Sequence, residues 1–517
     1  MRLSSYIRTA SVLGLAVGAL AACSDTNVPF YTAPTQVPNT PGGIQNGVTG
    51  LFAGLRSDMG TYMQNMNGYS RTGGNFTATE PRTVTYPLGV VAIPSSSGGI
   101  WPSSFANILQ AHQILATIPN VAPAYTTAQA NAIVGIVQTL IALNYMHMQE
   151  DHDTLGGTIQ PAVTTANSKS PALCNKDMWK YIVAVLDSGE AALNAAGPIG
   201  LPVVLPNGFS AVSSQAAPST VKGSFASFNR ALAGKANLEL AYAIARSTPG
   251  GTPTATQPGS PDVAALNRGD SAITASALYD PGSIVPPPKG GWTQDGFSVF
   301  HDYSATSGDV VNPMNGVVNT WWVLKEFVNV TDTANDLRWK NKFIPVDSSK
   351  RQIQQPKYSP AGAYFTSSMY GAPSSNLPLV RNEGLVLDRA QIQIGLGNYA
   401  VAAALINGVR TQSGGPALPS AFAPNTLPSG VVIPAVDPNS YPSVRDFLLR
   451  EQQISMADEG SGDRAISIRM YNLALQLDTT WVHDTTAAPN GDQHTTIDPI
   501  PFAELSARGG AFNPSCP

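Results

Sequence analysis

Apolar residues recur every three or four positions over long stretches of this chain, a rhythm that predicts amphipathic helices. It runs through 46–66 and 103–118 and is strongest over 127–150, where Ile133, Val137, Leu140, Ile141 and Asn144 mark neighbouring turns. It returns over 177–196, with Met178, Ile182, Val185, Leu186 and Leu193 in step, and over 225–247. The last run contains Ala231-Leu232-Ala233-Gly234-Lys235-Ala236, whose small side chains let a second helix come close. From 248 to 378 the rhythm fades. Pro249-Gly250-Gly251-Thr252-Pro253 and Pro286-Pro287-Pro288 break it into a few short helical or strand-like runs. An irregular segment this long inside a compact domain is usually functional or flexible. Helical spacing resumes over 379–396 and 399–411, joined only by Gly397-Asn398, so these two helices fold back on each other. Two further runs cover 443–458, with Gly460 as the expected C-cap, and 463–476. The expected fold is mostly α, built from helix hairpins, with helical parts at 46–247 and 379–517 around a loop-rich lobe at 248–378.

The first residues follow another pattern. Arg2 and Arg8 precede an apolar run from Val12 to Ala22 that closes on Leu20-Ala21-Ala22-Cys23. A positive start followed by a short apolar run marks residues 1–22 as a secretory signal peptide. Leu-Ala-Ala-Cys resembles the bacterial lipobox, which implies that Cys23 is lipidated and becomes the first residue of the mature protein. A diacylglycerol plus an amide-linked acyl chain such as palmitate would anchor it, at about 0.8 kcal/mol per buried methylene. Pro29, Pro34, Pro38 and Pro41 make 23–45 an extended tether. No later stretch reaches the ~18–20 uninterrupted apolar residues of a membrane span; the richest, Ile133 to Met148, is broken by Gln138 and Asn144. The lipid is then the expected membrane attachment.

Composition narrows the function classes. The formal net charge is −4, and it becomes more negative when Arg2 and Arg8 leave with the signal. That balance argues against nucleic acid, which wants a basic patch. Hydrophobic residues at 43% are enough to bury a core, while 12% charged residues with 47 Gly and 42 Pro suit an exported protein with long loops. Two cysteines remain after Cys23, and Cys174 and Cys516 are a candidate disulfide for an oxidising compartment.

Few motifs suggest chemistry. His147-Met148-Gln149-Glu150-Asp151-His152-Asp153 is the densest polar cluster, but its histidines are five apart and do not share a helix face as a zinc-binding HExxH would. The plainer expectation is a solvated helix end running into Gly156-Gly157, with no metal. Asp458-Glu459-Gly460-Ser461-Gly462-Asp463 lacks the alternating oxygen ligands of a calcium loop. No phosphate-binding glycine loop or nucleophile elbow is present, and the 33 acids single out no catalytic pair, so no enzyme activity and no cofactor are expected. Aromatics are the better lead, since a sugar ring stacks its C–H face on a flat side chain while nearby polar groups take its hydroxyls. Trp101 follows a Ser-Gly-Gly loop, and Trp292 sits between Gly290-Gly291 and Gly296. Trp321 and Trp322, adjacent on an expected short helix, lie in the irregular segment with Tyr364 and Tyr370. Tyr69, Arg71, Asn75 and Arg82 fall in a Gly/Thr-rich loop expected to be exposed, whereas Trp179 and Trp339 read as core.

Several blocks together resemble the SusD/RagB family of outer-membrane nutrient-binding lipoproteins. Leu377-Pro378-Leu379-Val380-Arg381-Asn382-Glu383-Gly384-Leu385-Val386-Leu387, Ala390, Gly397-Asn398-Tyr399-Ala400-Val401-Ala402 and Ile406-Asn407-Gly408-Val409-Arg410 are similar to its conserved helix hairpin. Leu449-Arg450-Glu451, Asp458-Glu459-Gly460 and Arg464 resemble a second block, and Asp498-Pro499-Ile500-Pro501-Phe502-Ala503-Glu504-Leu505 its ending. Asn144-Tyr145 to Gly156-Gly157 falls where the family has an aromatic helix and a turn. Gln452-Gln453, Ser455, Asp458 and the extra residues 461–463 depart from the pattern. The resemblance implies eight helices in four tetratricopeptide-like pairs and a loop lobe that binds the nutrient. It also implies a TonB-dependent, SusC-like transporter as partner and a cell-surface-facing location on the outer membrane. The implied ligand is an oligosaccharide or, alternatively, a peptide; a helical-repeat assembly or adhesion lipoprotein without a small ligand is the reading from another class.

Overall fold

A computed structural model describes residues 37–70, 72–75, 100–160, 170–249, 251–252, 259–306, 309–316, 321–323, 327, 333–346, 365–415, 425–426, 432–433, 440–460, 462–472, 497, 500–501, 502–508 and 512. The signal peptide, Cys23 and most of the tether lie outside these residues.

Helices α1 (Pro41–Leu55) and α2 (Met59–Tyr69) replace the single helix expected over 46–66. The first starts early because Thr40 accepts a hydrogen bond from the Gly43 amide and Pro41 sits at the first helical position. Helices α3 (Trp101–Val121), α4 (Thr127–His152), α5 (Asn175–Ala196) and α6 (Phe225–Ser247) follow the apolar rhythm closely. The α4 start is fixed by a reciprocal capping box between Thr126 and Gln129. Next come α7 (Val263–Ala275), the short α8 (Leu337–Lys342), the hairpin α9 (Asn382–Gly395) with α10 (Tyr399–Gln412), α11 (Tyr441–Ser455), α12 (Asp463–Met470) and α13 (Phe502–Ala507). Helix α7 is a full element inside the segment where the rhythm fades, capped by Asp262 on the Ala265 amide.

Among the described residues, α1 pairs with α3, α4 with α5, α6 with α7 and α9 with α10, and successive pairs pack on one another. That is eight helices in four pairs. Close approach of α6 and α7 depends on glycine: a Cβ on Gly234 would lie 2.3 Å from Ile273, and the Gly269 Cβ position is 3.1 Å from the Gly234 carbonyl oxygen. Polar side chains tie the layers at fixed heights. Asn229 of α6 donates to the Thr139 hydroxyl of α4 at 2.8 Å and to the Leu186 carbonyl of α5 at 3.1 Å, and Asn107 of α3 reaches Leu51 and Asn144. Each such bond nets about 1 kcal/mol but is costly to leave unmade once buried.

Two-residue to four-residue strands occur in antiparallel pairs. Strand β1 (Gly73–Asn75) pairs with β5 (Trp321–Val323), β2 (Gly157–Thr158) with β3 (Ala172–Leu173), and β4 (Val299–His301) with β8 (Leu377–Val380). Strand β6 (Phe343–Pro345) pairs with β7 (Phe365–Ser367), and β9 (Asn425–Thr426) with β10 (Val432–Ile433). Trp321 and Trp322 are therefore on a strand and not on the expected helix; β-branched and aromatic residues beside Gly73 and Gly74 favour the extended ladder. Helix α11 stops at Ser455, three residues before the expected 458, and Gly460 does not cap it. A left-handed residue is instead supplied by Asp458, at φ +61°, and again by Gly462, at φ +67°, just before α12.

The core divides in two. One cluster threads all four helix pairs. The second joins α2 to the loop lobe and is rich in Met and aromatic side chains, among them Met63, Met66, Trp321, Trp339, Phe343 and Tyr370.

Candidate functional site

The expected ligand-stacking rings are mostly used inside the protein. Trp101 is 4% exposed and packs against His152, Phe105 and Phe512 with centroids 4.9, 5.3 and 6.1 Å apart. Tyr69 does not sit in an exposed loop; it closes α2, is buried, and has the Arg469 guanidinium 5.5 Å from its ring centre. Tyr370 is fully buried and donates its hydroxyl to the Asp458 carbonyl at 2.6 Å. Trp321 is fully buried and stacks on Phe343 at 6.4 Å with an interplanar angle of 12°. Rings enclosed in this way present no face to a sugar. Trp101 fills the core of the helix pairs, while Tyr69, Tyr370 and Trp321 fill the core that joins α2 to the lobe, where large rings bury the most area per residue. Trp179 and Trp339 are core residues, as expected.

Trp292 is also buried, and charge holds it. The Arg381 guanidinium lies 4.8 Å and the Lys342 ammonium 5.2 Å from its ring centre. Both cations belong to a buried network where the lobe meets the helices. Lys342 donates to Glu459 at 2.6 Å and to the Ser455 and Ala457 carbonyls. Arg381 bridges Glu459 and Glu383 at 2.6 and 2.7 Å. Arg338, with no exposed surface, reaches Asp336 and Glu451, both at 2.7 Å, while Glu451 also takes Arg410 at 2.7 Å. Four cations thus meet four carboxylates, in keeping with the rule that buried charge must be paired.

Strand pairing assembles what the sequence left apart. The β1–β5 ladder sets Asn75 opposite Trp321 and Gly74 opposite Trp322, so the segment after Tyr69 runs beside the tryptophan pair. Alternation along a strand sends successive side chains to opposite faces. With Trp321 in the lobe core, Trp322 takes the other face opposite Gly74, and it too is buried, at 5% exposure. Gly73 is required by the inner ring: a Cβ there would lie 2.2 Å from Trp321. Tyr364, Arg71 and Arg82 lie outside the described residues, as does the side chain of Asn75. Cys174 is buried and disulfide-bonded, while Cys516 lies outside the described residues.

The His147–Asp153 cluster is not the solvated helix end expected. Every residue from His147 to Asp153 is buried, because α4 is covered by α3, α5 and α6 and by α2 at its end. Asp153 is clasped by Arg246 through two bonds of 2.6 and 2.7 Å. Burial penalises its charged form, yet Arg246 outweighs that and holds the carboxyl below the usual range. His147 goes the other way: burial, with Lys235 nearby, pushes it down to about 3 and keeps it neutral. Among the described residues no three His, Cys, Asp or Glu side chains are placed to hold a metal ion. Nor is any helix there long and apolar enough to cross a membrane.

A small cavity of about 40 Å³ opens beside this cluster, lined by His147, Glu150, Lys235, Asp388, Glu459 and Asp463 with apolar neighbours such as Leu143 and Leu385. Sequence reading passed over Lys235, Glu239 and Asp388. Their available signal was a charge on the apolar face of a helix, as with Lys235 inside Ala231–Ala236.

No family model matches the sequence, and no curated protein does. Solved structures do. A SusD-like carbohydrate-binding protein from Bacteroides vulgatus superposes with a TM-score of 0.64, 13% identity, and coverage of 92% of this chain and 98% of its own. NanU from B. fragilis gives 0.62 and 13%, covering 91% and 96%. A laminarin-binding SusD-like protein gives 0.53 and 16%, covering 90% and 97%. The chain has the SusD-like helical fold.

Proposed function

We propose that this chain, with its SusD-like fold, is a SusD/RagB-type lipoprotein that captures an oligosaccharide at the cell surface and passes it to a TonB-dependent outer-membrane transporter. The carrying observation is the match along some nine-tenths of the chain to proteins whose names include laminarin-binding and carbohydrate-binding members. The ordered hairpin and terminal motifs and the Leu20-Ala21-Ala22-Cys23 leader support the same reading. Capture is by reversible binding, without catalysis. Cys23 carries the lipid, and Cys516 is the partner proposed for the disulfide-bonded Cys174.

We place the ligand on the face of the β1–β5 ribbon that carries Trp322, and add Arg71, Asn75, Arg82 and Tyr364 as candidates on sequence grounds alone. The support is its place opposite Gly74 on the ribbon face away from Trp321, with only 5% of Trp322 exposed. A glycan and peptide array probed with soluble protein starting after residue 23 tests the ligand class. Binding to glycans alone is expected; binding to peptides alone overturns the oligosaccharide reading. Trp322→Ala should then weaken the glycan roughly tenfold or more, as loss of an aromatic anchor does. Equal affinity removes Trp322 from the site. Co-purification from solubilised outer membranes with a large β-barrel protein tests the transporter partner.

A further inference from the structure

Lys235 of α6 is a meeting point of the two helical parts. Its ammonium reaches Glu150 of α4 at 3.1 Å and Asp463 of α12 at 2.9 Å. Asp388 of α9 lines the same cavity, and Glu239 follows Lys235 one helical turn later. All four carboxyl groups are buried. The neighbouring cation Arg246 is occupied by Asp153. Four acids around one lysine leave negative charge in excess, and burying unpaired charge costs several kcal/mol per ion. No three metal-type ligands converge among the described residues, so a cation of that kind has no seat.

We propose that this cluster is a proton-held clamp between the N-terminal and C-terminal helical parts: Glu239 and Asp388 are protonated when the parts are joined, and their ionisation weakens the join.

The surroundings support protons as the missing charge. Among the described residues, one carboxyl oxygen of Glu239 and the Nδ1 of His147 have no hydrogen-bond partner. The cavity beside His147, at about 40 Å³, has room for about three waters at ~10–15 Å³ each, which can hydrogen-bond Asp388 and the His147 imidazole that line it. Burial pushes the Glu239 carboxyl up, the Glu150 charge pushes it further, and Lys235 opposes both; Asp153 and Arg246 act on it from farther off with opposite signs. For Asp388 the causes are burial and then Asp463, again opposed by Lys235. From α2, Tyr62 donates its hydroxyl to Glu150 at 2.5 Å, and from α12 the Arg469 guanidinium donates to the Glu150 carbonyl. Arg381 and Glu459, paired with each other, complete the cavity wall.

The sign follows from proton linkage. A carboxyl raised on folding contributes stability that is complete below its unfolded value near 4 and is lost as pH rises through its folded value. The buried neutral histidines His147 and His301, both pushed down to about 3, act oppositely and only below their ordinary 6.5. The window above about pH 6.5 therefore belongs to the acids. In the full chain, Tm should fall across that window, and the double substitution Glu239→Gln with Asp388→Asn, which imitates the protonated shape, should remove several degrees of the fall. An identical slope in both proteins overturns the clamp. Should the double variant not fold, the infrared spectrum of the unaltered protein decides. A protonated-carboxyl carbonyl band persisting above the titration of Asp458, which lies at about 7, supports the clamp, and its absence overturns it.

Discussion

At the scale of single residues, this protein depends on positions where a small or unusual backbone meets a large ring. Gly73 has Trp321 against the place a Cβ would occupy. Gly73→Ala should cost about 1–3 kcal/mol by overpacking, read as a lower Tm with altered near-ultraviolet dichroism from the tryptophans; an unchanged spectrum and Tm would contradict the contact. Trp292, expected from sequence to face ligand, is enclosed by Arg381 and Lys342. Trp292→Ala should therefore lower stability by about 3–5 kcal/mol, where a purely ligand-facing ring would leave Tm unchanged. Asp458 is fully buried in a left-handed conformation, and burial pushes its carboxyl up to about 7. Its stabilising proton is lost as pH rises through that value. Asp458→Asn, which tolerates the same backbone, should raise Tm above about pH 7 and leave it unchanged near pH 4. Residue identity made these positions visible, but it could not say whether a ring faced inward, because burial is set by what distant segments cover.

Among the elements, the long helices were legible and the short strands were not. The α4, α5 and α6 boundaries fall within two residues of the apolar rhythm because each helix buries a continuous face. Strands of two to four residues carry too few positions to show a period of two, and one pairing, Gly74 with Trp322, joins segments far apart in the chain. Helix α7 was missed because proline-rich and glycine-rich stretches flank it. What fastens α8 to the hairpin and α11 is the buried ion network. Arg338→Ala should destabilise by about 3–5 kcal/mol, since it takes the guanidinium from buried Asp336 and leaves Glu451 with Arg410 alone. Replacing Arg338 by Lys should recover only part of this, because an ammonium cannot reproduce the forked contacts to both acids. Equal Tm for Arg338→Lys and wild type, in thermal melts, would show that the fork is dispensable.

For the whole molecule, the proposed lipid anchor is the part most directly tested. Cys23→Ala should release the protein from membranes, and retention after high-salt, detergent-free washing would contradict a lipid anchor. The helix hairpins and the Gly397-Asn398 turn were determined by sequence alone, since each rests on turn chemistry or on a period within one helix. The tertiary structure alone decided which charges are buried together. Lys235 meets Glu150 and Asp463 across 85 and 228 positions of chain, and Arg338 meets Glu451 across 113. A charged residue on a helix looks the same in sequence whether water or another helix covers it. Its energetic role changes completely between the two, because desolvation makes every unpaired charge costly, and only packing determines which ones are desolvated.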